Sequence, residues 1–289
     1  MRRETIHAWL MLLPALVVLA TFMHVPAVET IIASFWSTAR GARPSHFVGL
    51  KNYERMIADP VFWQAMRNNL VYALVTVPLS MGLALVMALL VQGRVAGRAF
   101  LRMAFFTPTV LPLIAVANIW IFFYTPGFGL IDQIRGLFGL HAQNLLGTGS
   151  TALYAVAAVA VWKEAGFFMI FYLAALQTIP PTLIEAARLE GASRWQIFRR
   201  ITLPMIMPTT LFISVNAVID AVRLVDHIFQ MTQGGPDNAT NILFFYIYRV
   251  GFQFWDTAYA ATLTVVMIVI LSLLALGQVV LIDRRVHYK

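Results

Sequence analysis

PPTLIEAARLEGASRWQIFRRITLPMIMP, residues 180–208, is a polar connection between two long apolar segments. The residues before Gly191 are mostly good helix formers, and glycine is the residue at which helices commonly end in a left-handed conformation. Ser193 is suited to cap a second short helix over residues 194–200. Pro204 is expected to end that helix, because proline has no backbone N–H to donate. The stretch therefore predicts a helix-turn-helix.

The first of these helices has a surface suited to contact with another protein. Ala186 and Ala187 give it a patch with small side chains, where a second chain can approach closely. Both signs of charge surround that patch, from Glu185, Arg188, Glu190 and Arg194. An amphipathic surface hairpin without a partner is the simpler alternative.

The composition around this connection is that of an integral membrane protein. Of the 289 residues, 60% are hydrophobic and 12% are charged, about half of the roughly 25% typical of soluble domains. The chain has no Cys, which excludes disulfides, thiolate metal sites and thiol nucleophiles. In a membrane protein the net charge of +8 mainly sets orientation, so we predict no nucleic-acid binding.

Six apolar segments are long enough to cross a hydrocarbon core about 30 Å thick. The length of the first favours a span over a cleaved signal peptide. We therefore predict an all-α membrane protein with one domain over residues 1–289, in which residues 177–204 form a cytoplasmic loop. The predicted spans are residues 9–35, 70–91, 103–124, 151–176, 205–231 and 258–282.

The distribution of Lys and Arg predicts that both termini are cytoplasmic. The connection over residues 37–66 would then lie outside, and it is itself basic, which weakens the bias. The basic residues assigned to the cytoplasmic side are Arg2, Arg3, Arg94, Arg98, Arg102, Arg188, Arg194, Arg199, Arg200, Arg284, Arg285 and Lys289.

Four polar residues share one face of the predicted fifth span. Asn216, Asp220, Arg223 and His227 are spaced by 4, 3 and 4 residues, which places them within an arc of about 60° on a helix. Burying ionisable groups at this depth is costly, so we expect the stripe to line a solute path. The alternative is that Asp220 and Arg223 only neutralise each other.

The fourth span contains Trp162, Lys163 and Glu164. Neighbouring helical positions diverge by about 100°, so one of Lys163 and Glu164 should face the path and the other a second helix. Trp162 is a candidate for stacking on a solute, although packing is the commoner role. The His residues are scattered and no hydrolase motif is present, so we predict no metal site and no catalytic residues.

The order Glu185-Ala186-Ala187, Gly191, Leu203-Pro204 resembles the EAA loop of permease subunits in binding-protein-dependent ABC importers, of the carbohydrate (maltose-permease-like) type. Four further stretches are similar, at residues 47–53, 176–180, 226–228 and 232–236. The resemblance implies the six-helix type I importer fold in a bacterial inner membrane. It also implies that these six residues couple the chain to an ATPase.

The resemblance further implies three kinds of protein partner. The first is a dimer of ATP-binding subunits; this chain has no Gly-Lys pair and so no Walker A loop, and ATP and Mg²⁺ are expected in that partner. The second is a related permease subunit, because two ATPase subunits need two docking loops. The third is an extracytoplasmic solute-binding protein, which would meet the outer loops over residues 37–66 and 231–241.

The implied solute is a carbohydrate or sugar derivative. Arg223 is unusual for a neutral-sugar path and keeps open an anionic solute, such as a phosphorylated or sulfonated glycerol or sugar derivative. Local similarity to glycerol-phosphate permeases, at residues 141–144 and 248–252, points the same way. An ion-coupled secondary transporter and a membrane enzyme are the remaining alternatives, but we find neither internal repeats nor a recognisable catalytic set.

Overall fold

A computed structural model describes residues 2–41, 43–93 and 96–283. These residues form helices and contain no strand longer than an isolated bridge. In chain order the helices are α1 (Arg2–Leu19), α2 (Val25–Ala33), α3 (Lys51–Ala58), α4 (Pro60–Gln92), α5 (Arg98–Val110), α6 (Leu113–Phe123), α7 (Leu130–Leu137), α8 (Ala152–Gln177), α9 (Pro181–Leu189), α10 (Arg194–Ile197), α11 (Leu203–Met205), α12 (Met207–Arg223), α13 (Asp226–Met231), α14 (Leu243–Tyr248) and α15 (Thr257–Asp283). Short π-helical segments join α1 to α2 and α10 to α11, and another follows α14.

Four helical stretches in the described part are long and apolar enough to cross a membrane: Ala8–Ala33, Pro60–Gln92, Ala152–Gln177 and Thr257–Gln278. The helix that contains the predicted second span is longer than the span, because α4 begins at Pro60 and the predicted span at Leu70. The first turns of α4 are too polar to be assigned to a membrane span by their hydropathy. They are nevertheless helical, and the backbone N–H of Val61 donates to Oδ1 of Asp59 at 2.9 Å and closes the first turn.

The other two predicted spans, residues 103–124 and 205–231, are not single straight helices. α5 and α6 meet at 102°, and the path from Arg194 to Met231 bends by 67°. The first bend lies at Leu111, which is extended because the following Pro112 disfavours the helical conformation. At the second bend Pro208 has no N–H to donate to the preceding helical turn.

The prediction that Pro204 ends the second short helix was also wrong. The helical path continues from α10 through the π-helical segment Phe198–Thr202 into α11. The N–H of Leu203 donates to the carbonyl of Phe198, one residue further back than in an α-helix. A π-helical turn of this kind shifts the hydrogen-bond register by one residue, and the chain remains helical through Pro204 although proline has no N–H to donate.

The chain divides into two compact units. One comprises Trp63–Phe245 and Leu271–Lys289, and α8 lies at its centre, with Phe168, Met169 and Tyr172 almost fully buried. Gly166 allows α5 to approach α8, because a Cβ atom at this position would lie 2.2 Å from the carbonyl oxygen of Phe105.

The second unit comprises Met1–Phe62 and Tyr246–Ile270. Asp256 is buried and accepts hydrogen bonds from Thr38 Oγ1 at 2.6 Å and from Arg55 at 2.7 Å, with Arg40 at 3.1 Å. Burial opposes ionisation of Asp256, but the hydrogen bond from Thr38 and the hydrogen bond and charge of Arg55 outweigh it and lower the pKa of this carboxyl.

A second carboxylate fixes the same unit. Asp59 accepts hydrogen bonds from the hydroxyls of Tyr246 at 2.5 Å and Tyr259 at 2.6 Å. Burial again opposes ionisation, and the two hydroxyls and the N–H of Val61 more than compensate, so the pKa of Asp59 is lowered. Sequence reasoning did not predict this cluster.

The predicted orientation falls partly outside the described residues. Arg94, Arg284, Arg285 and Lys289, four of the basic residues assigned to the cytoplasmic side, lie there. The cytoplasmic placement of both termini stays a prediction.

A capped helix pair and a polar cavity as candidate functional sites

The turn between α9 and α10 begins with a glycine cap. Gly191 has φ +80°, and the predicted left-handed stop is confirmed. The N–H of Ala192 donates to the carbonyl of Ala187 at 2.9 Å, and the N–H of Gly191 to that of Arg188 at 3.0 Å. These are the two bonds of a Schellman motif, so the last turn of α9 ends with satisfied carbonyls.

The start of α10 is capped by side chains. The N–H of Gln196 donates to Ser193 Oγ at 3.3 Å, and the N–H of Ser193 donates to Gln196 Oε1 at 2.7 Å. This reciprocal pair is a capping box and confirms the predicted role of Ser193. Two caps on either side of Ala192 give the turn a defined geometry.

The capped pair presents both charged and apolar side chains to its surroundings. Leu189 is 91% exposed and Trp195 65% exposed, and Trp195 stacks on Phe198 with 5.5 Å between ring centroids. Leu203 is different, because it packs with Ile184 against the core of the bundle and so anchors the pair. Of the other residues predicted to couple the chain to an ATPase, Ala187 is half-buried and the exposed ones are Glu185, Ala186, Gly191 and Pro204.

A cavity lies among α4, α6, α8, α12 and α13, and we call it the polar cavity after the polar side chains that line it together with apolar ones. Its volume is about 20 Å³, room for about one water molecule. Its two acidic residues, Glu164 and Asp220, come from α8 and α12. The other polar side chains that line it are Tyr72, Thr76, Ser80 and His227.

The predicted stripe of four polar residues on one helix was wrong. α12 ends at Arg223, and Leu224 is extended, so His227 lies on the separate helix α13. Asp220 and His227 still reach the cavity. Asn216 does not line it, and its amide donates to the carbonyl of Phe212 in its own helix at 2.7 Å.

The remaining candidates for the solute path, Arg223, Lys163 and Trp162, do not line the cavity. The side chain of Arg223 is 65% exposed and lies 3.4 Å from Asp220. This is the contact predicted by the alternative in which Asp220 and Arg223 only neutralise each other. Lys163 donates to the carbonyl of Thr109 at 3.2 Å and thus faces α5, while its neighbour Glu164 faces the cavity. Trp162 packs edge-on against Trp120, 5.6 Å away.

Sequence reasoning missed the contribution of α4 to the cavity. Tyr72, Thr76 and Ser80 recur every four residues and therefore share one face of that helix. The pattern was visible in the sequence, but it contains no charge. Among the described residues no group of three His, Asp or Glu side chains is placed to hold a metal ion.

Comparison with known proteins gives consistent matches along the chain. The family described as "Binding-protein-dependent transport system inner membrane component" matches residues 80–288. The trehalose/maltose transport system permease protein of Thermococcus litoralis is 35% identical, with 86% of this chain and 85% of that protein covered. The sn-glycerol-3-phosphate transport system permease protein of Agrobacterium fabrum is 30% identical, with 97% and 96% covered.

A solved structure shares the fold. It is described as a bacterial ABC transporter involved in the import of the acidic polysaccharide alginate, and one of its chains superposes with a TM-score of 0.85 at 23% sequence identity. The match covers 98% of this chain and 96% of that one. The expected type I permease fold is therefore shared along nearly the whole chain.

Proposed function

This chain belongs to the family of binding-protein-dependent transport system inner membrane components, and from that premise we propose that it passes a carbohydrate across the membrane, driven by ATP hydrolysis in a separate polypeptide. The observation that carries the proposal is the α9–α10 pair, two short helices capped at their facing ends. A rigid, exposed protrusion of this kind can transmit movement of a partner to the bundle.

The partner at this protrusion is an ATP-binding subunit. The capped turn holds Glu185 and Ala186 on an exposed face, and Leu203 ties the pair to the core formed by α4, α8 and α12. Movement of the pair therefore reaches the helices that line the cavity. ATP and Mg²⁺ bind in the partner, because this sequence has no Walker A loop.

The assembly contains a second permease subunit. ATP-binding subunits act as a dimer in the ABC importers that this sequence resembles, and this chain offers one EAA loop for two of them. We place an extracytoplasmic binding protein at the other end of the bundle, together with cytoplasmic termini in a bacterial inner membrane.

The polar side chains around the cavity favour an uncharged, hydroxyl-rich solute, which meets them when the helices around the cavity separate, because the cavity has room for only about one water molecule in this structure. Its acidic side chains are those of Glu164 and Asp220, whose carboxyl groups can hydrogen-bond with hydroxyl groups and offer an anion no positive charge. Arg223 is exposed and directed to Asp220. The relative named for trehalose/maltose transport agrees with this choice.

An anionic solute is the second candidate. It is favoured by the guanidinium of Arg223, which is exposed enough to meet a phosphate or sulfonate, and by the relative named for sn-glycerol-3-phosphate transport. A sugar is expected to need the carboxyl groups that line the cavity, whereas an anion is expected to need the guanidinium of Arg223.

The assembly is tested by purifying the tagged chain from membranes of its host under mild detergent. We expect an ATP-binding subunit and a related permease to co-purify, and uptake by the reconstituted complex to need ATP and to resist an uncoupler. A lone chain that transports solute, or uptake abolished by the uncoupler in the presence of ATP, would refute the proposal.

The solute is tested with the same complex and its binding protein in proteoliposomes, by comparing labelled maltose, trehalose and sn-glycerol 3-phosphate. We expect the sugars to be preferred, and Glu164→Gln to reduce that preference several-fold. Glu190→Gln, which removes an exposed carboxylate outside the cavity, should leave it unchanged. Preference for the phosphate, lost in Arg223→Ala, would instead support the anionic candidate.

A further inference from the structure

Helix α7 carries an apolar face that the protein does not cover. Leu130, Ile134 and Leu137 are spaced by 4 and 3 residues, which places them within about 60° on the helix. All three are exposed, Leu137 to 85%, and the adjacent Phe138 is 77% exposed. With 8 residues α7 is about 12 Å long, far too short to span a bilayer.

The polar side of α7 is held by the protein itself. Asp132 is buried and accepts a hydrogen bond from the N–H of Gly127 at 2.8 Å. Arg135 donates to the carbonyl of His141 at 3.2 Å and to the side chain of Gln143 at 3.1 Å. These bonds fix the rotation of α7 and turn its apolar face outward.

The position of α7 identifies what covers that face. Gly129 packs on the end of α6 so closely that a Cβ atom would lie 2.3 Å from the carbonyl oxygen of Phe123. α6 belongs to a bent spanning segment, and Ile119 and Phe122 on it are exposed apolar residues of the kind that face lipid. α7 therefore starts where the chain leaves the hydrocarbon core.

We propose that α7 is an interfacial helix, with Leu130, Ile134, Leu137 and Phe138 inserted into the acyl chains of the bilayer. The spanning helix α8 separates α7 from α9, so the helix lies in the leaflet opposite the α9–α10 pair. The helix has one acidic and one basic side chain, and their charges cancel. Burial of its apolar side chains is therefore what attaches it to the membrane.

The absence of Cys from the sequence makes a direct test possible. A nitroxide label is attached to Leu137→Cys in the assembled transporter in lipid nanodiscs, and its accessibility to oxygen and to a water-soluble nickel chelate is measured by electron paramagnetic resonance. The matched control is Gly136→Cys, on a different face of the same helix, where a Cβ atom meets nothing within 4 Å.

We expect the label at position 137 to be several-fold more accessible to oxygen than to the nickel chelate, and the label at 136 to show the opposite order. Free access of the nickel chelate to position 137 would place the face in water and overturn the proposal. An immobile label accessible to neither reagent would place it against another protein and also overturn it. Ile134→Cys gives an independent reading if Leu137→Cys does not assemble. None of these readings depends on the solute or on ATP.

Discussion

The hydroxyl of Tyr72 lies 2.7 Å from Nε2 of His227, and both side chains are fully buried at the wall of the polar cavity. The contact joins α4 to α13 across 155 positions of the sequence. Nδ1 of His227 has no hydrogen-bond partner among the described residues. The Tyr72 hydroxyl therefore supplies the polar contact of this buried imidazole.

Tyr72→Phe is expected to destabilise the protein by about 1–3 kcal/mol, because it leaves a buried ring nitrogen without its partner. Thermal unfolding of the purified protein in detergent measures the effect. Tyr154→Phe, at an exposed tyrosine, is the control and should leave the melting temperature unchanged. Equal melting temperatures for both variants would show that the contact contributes nothing.

Gly166→Ala is expected to cost about 1–3 kcal/mol, because the new methyl group forces α8 away from the backbone of α5. Gly82→Ala is the matched control, also within a spanning helix, where a Cβ atom meets nothing within 4 Å. It should be neutral or stabilise by up to about 1 kcal/mol, since alanine favours a helix. Equal melting temperatures for the two variants would contradict the prediction that α5 and α8 pack closely at Gly166.

Features fixed by neighbouring residues could be predicted from the sequence, and features fixed by distant contacts could not. The stop at Gly191 and the cap at Ser193 depend on bonds within five residues. The direction of Lys163 depends on a carbonyl 54 positions away, and the cavity forms only where five helices meet. No proline or glycine marks the break at Leu224, so the sequence predicted a helix that continues through this position.

Asp256→Asn is expected to destabilise the unit formed by Met1–Phe62 and Tyr246–Ile270 by about 1–3 kcal/mol at neutral pH, because hydrogen bonds from Thr38 and Arg55 lose their charged acceptor. The native carboxyl has a pKa below its ordinary 3.8 and binds its proton more weakly than in the unfolded chain. Its contribution is therefore present at neutral pH and is lost as the pH falls below about 4.

The measurement for Asp256 is thermal unfolding followed as a function of pH. The loss of stability in acid should be smaller in Asp256→Asn than in the unchanged protein. Glu54→Gln, an exposed carboxyl on α3, should retain the full pH dependence. If Asp256→Asn is as acid-sensitive as the unchanged protein, another carboxyl is responsible.

Gly191→Val is expected to separate ATP hydrolysis from uptake. A β-branched residue at φ +80° is strained by about 1–2 kcal/mol, although there is free space around this position. That strain lowers the population of the correctly capped turn roughly five- to thirtyfold. Gly191→Asn is the control, since asparagine tolerates the left-handed conformation. In proteoliposomes the valine variant should hydrolyse ATP with little uptake, whereas the asparagine variant should couple the two. Normal uptake by the valine variant would mean that the geometry of this turn is not needed to couple ATP hydrolysis in the ATP-binding subunit to solute uptake.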